Sequence, residues 1–129
     1  MRAAHLFSGL LFLALFLATG QYLGMILPPF EGTLDGQRMM YRASHVYLLY
    51  ASLLNLLAGA YWRPVTLRQR TQFLASVLLL LAQPVLALGF FLEPGALLLS
   101  RPWTLSGAVL ALAGVVLSVF AQLGKGGPR

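Results

Sequence analysis

Apolar residues run through this chain in four long blocks, separated by polar intervals that carry most of the prolines and charges. The blocks cover Ala4–Leu23, His45–Trp62, Phe73–Leu92 and Trp103–Leu123, and none contains Asp, Glu, Lys or Arg. Each approaches the ~20 residues that carry an α-helix across ~30 Å of hydrocarbon at ~1.5 Å per residue. Strands of a membrane barrel would alternate in polarity over about ten residues; unbroken apolar runs such as that ending at Leu92 do not. Helices satisfy their own backbone groups where no water is present. The pattern therefore predicts an all-α protein, a four-helix transmembrane bundle making one membrane domain over residues 1–129.

The intervals are Gly24–Ser44, Arg63–Gln72 and Glu93–Pro102, punctuated by Pro28, Pro29, Gly32, Gly36, Pro64, Pro94, Gly95 and Pro102. Such residues mark turns outside hydrocarbon. Asp35 is placed to cap a helix that starts about two turns before the second block. The first 21 residues also have the outline of a signal peptide, with basic Arg2, an apolar stretch and small Ala18 and Gly20. Retention is favoured because apolar residues continue through Leu23, Met25, Ile26 and Leu27 to spanning length.

Composition agrees with a bilayer. Apolar types make up 59% of the chain and charged types 9%, against about 25% charged in soluble domains. Net charge is +6, but the basic residues flank the apolar blocks instead of forming one patch, which excludes a nucleic-acid surface. The N-terminus, the middle interval and the C-terminus carry Arg2, Arg63, Arg68, Arg70, Lys125 and Arg129 with no acid. The opposite side carries Arg38, Arg42 and Arg101 against Glu31, Asp35 and Glu93. The positive-inside rule then predicts both termini in the cytoplasm, N-in/C-in, most simply in a bacterial inner membrane. Tyr61 and Trp62 fall at the inner interface, and Tyr22, Tyr41 and Trp103 at the outer one.

Few residues in the blocks carry chemistry. At helical spacing Arg38, Arg42, His45, Ser52, Asn55 and Gly59 share one face of the second helix. Arg38, Arg42 and His45 form a candidate mouth for an anion or lipid headgroup, since guanidinium forks suit phosphate and carboxylate; snorkelling to headgroups is the plainer role. Asn55 and Gln83 are the two deep amides. Their depths differ by only about 4–5 Å at 1.5 Å per residue, so they form a candidate buried polar pair that sets the packing of the second and third helices. Pro84 frees a backbone carbonyl beside them. Gly107, Ala111, Gly114 and Ser118 make a small-residue strip on the fourth helix, suited to close packing on a helix of this chain or of a partner. Gly20 and Gly24 form a weaker strip on the first.

Enzyme signatures are missing. There is no cysteine, no intramembrane carboxylate pair and no metal cluster, because two histidines, His5 and His45, at opposite sides of the membrane are too few. No cofactor is expected. The residues suggest a non-enzymatic accessory or assembly component, with membrane lipids, a second copy of the chain or another membrane protein as partners. The alternatives are a small transporter or lipid- or anion-binding protein with the Arg38/Arg42/His45 mouth, and, more remotely, a haem- or quinone-binding protein using His45.

Overall fold

A computed structural model describes residues 1–26, 35–63, 68–94 and 100–123, without the side chains of Ile26, Asp35 and Gln37. Among these residues the chain is four α-helices: α1 Arg2–Ile26, α2 Asp35–Ala60, α3 Gln69–Leu92 and α4 Pro102–Leu123. All four are long and apolar enough to cross a membrane. The helices outrun the apolar blocks at several ends, most of all α2, whose polar first turns precede His45. Helical hydrogen bonding does not stop where hydrocarbon does. At its other end α2 stops at Ala60, so Trp62 lies past the helix. The expected Asp35 cap, its neighbour Glu31 and the C-terminal Lys125 and Arg129 lie outside the described residues or side chains.

Surface and core are inverted relative to a water-soluble protein. Phe7, Leu105, Leu112 and Leu123 face outward, whereas His5, Ser52, Asn55, Gln83 and Glu93 are buried. In water that arrangement leaves large apolar patches exposed and strands polar groups inside. In hydrocarbon it is the low-energy one, which fits a membrane protein.

The helices pair closely as α1 with α2 and α3 with α4, and α2 lies against α3 in the middle. Among the described residues α1 and α4 make no contact, so the arrangement is open along one side instead of a closed ring. Both close pairs are built by leucines seated on glycines. A Cβ on Gly9 would lie 2.8 Å from Leu56 Cγ, and one on Gly59 2.7 Å from Leu6 Cγ. On the other pair, a Cβ on Gly107 would lie 2.5 Å from Leu86 Cγ and one on Gly114 2.8 Å from Leu79 Cγ. Hydrocarbon offers apolar side chains no reason to leave lipid, so van der Waals contact between close backbones drives such pairing. The small-residue strip of α4 therefore has its partner in α3 of the same chain. Gly107, Ala111 and Gly114 are buried there, and Ser118 is half-buried at the far end.

Candidate functional site

Two polar clusters lie inside the bundle, one at each end, with an apolar layer between them; the end that carries the start of α1 is called inner and the other outer, after the orientation expected from the charges. The layer is Leu48, Ala51, Leu86 and Phe90, backed by Phe12, Phe16, Leu23 and Tyr41.

The inner cluster gathers around Asn55. Its Nδ2 donates to Leu79 O of α3 at 3.0 Å and to Ala51 O of its own helix at 3.1 Å, while its Oδ1 meets His5 Nδ1 of α1 at 2.7 Å. Gln83 mirrors it from α3. Gln83 Nε2 donates to Ala51 O of α2 at 3.4 Å, and Gln83 Oε1 accepts the hydroxyl of Ser8 from α1. Each amide thus bonds the backbone of the other's helix, and both reach α1. In lipid such bonds average about 0.6 kcal/mol each, so their main effect is to fix how three helices sit.

His5 is the residue that sequence reasoning passed over. It stands four residues from the chain start, yet it is fully buried. Its Nδ1 is held by Asn55, its ring lies 5.6 Å from that of Trp62, and its Nε2 has no hydrogen-bond partner among the described residues. An ionisable group therefore lies against Asn55, one of the two deep amides. The signal was present in the order of the helices. An antiparallel α1–α2 pair brings the start of α1 beside the last turns of α2, and both groups belong to the same membrane boundary.

His5 lines a cavity of about 280 Å³ to which all four helices and the segment after α2 contribute. Trp62, Gln72, Ser76, Ser118 and Gln122 supply most of its other polar and aromatic wall, and Leu57 part of its apolar wall. Gln72 also donates from Nε2 to Arg63 O at 2.7 Å, which ties the start of the α2–α3 interval to α3.

At the outer end the expected trio divides. Arg38 and Arg42 line an open groove of about 570 Å³ with Met39, Ala43, Val46 and Tyr47. His45 is not part of it. The imidazole stacks on Phe16 at 4.1 Å and lies 3.2 Å from Thr19 Oγ1, both on α1. Gly20 makes room, since a Cβ there would stand 3.2 Å from His45 Cε1. Shared helical spacing put three side chains on one face, but long arginines bend outward to the surface while a short ring fills the α1–α2 seam. His45 is a packing residue in this seam.

The outer cluster proper is formed by residues that the sequence placed in an exposed interval. Glu93 is 2% exposed. Its Oε1 accepts Thr104 N–H at 2.8 Å, its Oε2 accepts the Thr104 hydroxyl, and Arg101 Nε stands 3.5 Å away. Arg101 Nη2 in turn donates to Ser44 Oγ of α2 at 2.7 Å. A carboxylate at the first turn of α4 supplies the acceptor that Pro102-Trp103-Thr104 lacks, and complements the helix dipole. This cluster joins α2, α3 and α4; its buried Arg101 Nε has no hydrogen-bond partner among the described residues but faces Glu93 Oε2 at 3.5 Å as an ion pair, so its charges are matched within the cluster and it is structural. The inner cluster, with an unused ring nitrogen beside a cavity, is the candidate binding site.

Comparison with protein families, curated proteins and solved structures found no match for this chain.

Proposed function

We propose that this chain is a non-enzymatic, multi-pass membrane protein that binds a small ligand in the cavity at the inner end of its helices, with His5 as the receiving group. One observation carries the binding role: a fully buried ring nitrogen, His5 Nε2, stands without a partner among the described residues in the wall of a 280 Å³ cavity. Leaving a buried polar atom unsatisfied costs about 1–3 kcal/mol. Leucine at position 5 would carry no such cost, so the histidine points to a ligand. An assembly role through the α4 strip has lost its free surface, because α3 covers Gly107 and Gly114.

Native mass spectrometry of protein released from lipid nanodiscs tests this directly. Wild type should carry a small adduct at one per chain, and the Ser76→Leu/Ser118→Leu variant, whose leucines fill the cavity, should not. Identical spectra from the two proteins would refute the binding role. The same spectra address a second reading, favoured by the Arg38/Arg42 groove, in which these arginines hold an anionic headgroup at the outer surface. Arg38→Gln/Arg42→Gln should then retain fewer anionic phospholipids, and an unchanged count would remove that reading.

The membrane we propose is a bacterial inner membrane, entered with both termini cytoplasmic. The support is the basic asymmetry, six residues without an acid on one side against three with three acids on the other. With no native cysteine to interfere, single cysteines report the sides cleanly. A membrane-impermeant maleimide applied to intact spheroplasts is expected to label Ser100→Cys and to leave Arg70→Cys untouched until the cells are lysed. The opposite pattern would invert the topology.

A further inference from the structure

The hydrogen bonds around Asn55 decide which nitrogen of His5 carries its proton. An amide can be placed either way round from shape alone, so its orientation must come from its partners. Here Nδ2 faces two backbone carbonyls, Leu79 O and Ala51 O, at 3.0 and 3.1 Å. Carbonyls only accept, so both amide protons are spent on them, and the reverse orientation would set oxygen against two oxygens. Asn55 Oδ1 is thereby left facing His5 Nδ1 at 2.7 Å as a pure acceptor. Nδ1 must be the donor. In the neutral imidazole the single ring proton is then used up, and Nε2 keeps a bare lone pair on a ring that lines the cavity.

A bare lone pair selects its ligand. It takes a hydrogen from an O–H or N–H and offers nothing to a carbonyl or a carboxylate. The rest of the wall narrows the class further. Trp62 presents a flat ring 5.6 Å from His5, and aromatic faces favour a ring partner. About 280 Å³ lies at the small end for ligand cavities and suits a single substituted ring. Leu57 is both a wall of the cavity and exposed on the outer surface of α2, which gives an apolar tail a way out into lipid. From these features, and resting on the binding role proposed above, we infer that the cavity takes the head of a hydroxyl-bearing aromatic amphiphile, a hydroquinone or phenol, whose O–H donates to His5 Nε2 and whose ring lies beside Trp62.

A pair of probes that differ only in the donated hydrogen tests the class. Trp103→Phe leaves Trp62 as the sole tryptophan, so its fluorescence reports the cavity alone. Protein in lipid nanodiscs is titrated under argon with trimethylhydroquinone and with its dimethyl ether, at about pH 8, above the ordinary imidazole value of about 6.5. The hydroquinone is expected to change the Trp62 signal saturably, the ether to bind at least about tenfold more weakly, and His5→Phe to remove the difference. Equal binding of the two probes overturns the inference, and this comparison needs no variant at position 5 to fold. Neither probe binding also overturns it. If the cavity-dependent adduct persists in the native mass spectrum, only the ligand class is wrong; if the adduct is missing too, the binding role falls with it.

Discussion

Glu93→Ala is expected to destabilise the folded bundle by about 3 kcal/mol, the lower end of the range for breaking a buried ion pair by removal of one partner. The lower end applies because Arg101, the partner left behind, keeps 27% of its side chain exposed and can turn to water or headgroups, whereas Glu93 is 2% exposed. Two further losses accompany the charge. Thr104 N–H and the Thr104 hydroxyl both give up their acceptor at the first turn of α4. Glu93→Gln separates the contributions, since an amide oxygen can still accept from Thr104 while the charge facing Arg101 is gone. It should fall between wild type and alanine. Reversible unfolding in mixed micelles, followed by far-ultraviolet circular dichroism, measures all three. A Glu93→Ala loss within about 0.5 kcal/mol of zero, the size of an ordinary surface substitution, would mean that the cluster does not join the helices as described.

The second large effect lies at the α3–α4 seam. Alanine is a better helix former than glycine by about 1 kcal/mol, so on helix propensity alone Gly107→Ala should stabilise α4. Contact geometry says the reverse. The new Cβ would stand 2.5 Å from Leu86 Cγ and 3.2 Å from Leu86 N, so relief by a rotamer change is blocked and the two helices must part. Overpacking of this kind costs about 1–3 kcal/mol. Leu86 is itself buried, and Leu86→Ala alone should cost about 2–5 kcal/mol. In the double variant the side-chain clash at 2.5 Å is gone and only the 3.2 Å approach to the backbone nitrogen remains, so the combined loss should be smaller than the sum by about 0.5–3 kcal/mol, the coupling of residues in contact. A stabilising Gly107→Ala, or strict additivity in the cycle, would contradict the packing.

The positions of the helices were legible because hydrocarbon thickness and backbone hydrogen bonding leave one solution for blocks as long as Phe73–Leu92 or Trp103–Leu123. Asn55 and Gln83 were legible for a related reason: amides at that depth must find partners, and in the structure both are buried and cross-braced between α2 and α3. What escaped was pairing between distant positions. His5 looked like a boundary residue because depth along one helix says nothing about which neighbour shields it, and only the antiparallel register of α1 on α2 puts it against Asn55. Glu93 looked like a solvated acid in a polar interval, but its carboxylate lies at the start of α4, accepting from Thr104. The Gly107–Ser118 strip announced a close helix contact without naming the partner, since α3 and a foreign helix present the same apolar surface to glycine. His45 was grouped with Arg38 and Arg42 by helical spacing, which places Cβ atoms and leaves side-chain direction open.

Ligand binding in the cavity turns on the proton of His5. Nitrogen-15 labelling of histidine in bilayer samples gives two imidazoles, and His5→Gln assigns them by subtraction. At about pH 8, well above the ordinary imidazole value, solid-state spectra are expected to show His5 with a proton-bearing Nδ1 and a bare Nε2. A proton on Nε2 with Nδ1 bare, or a His5 ring that titrates and exchanges freely with bulk water, would contradict the hydrogen-bond network at Asn55 and the site built on it.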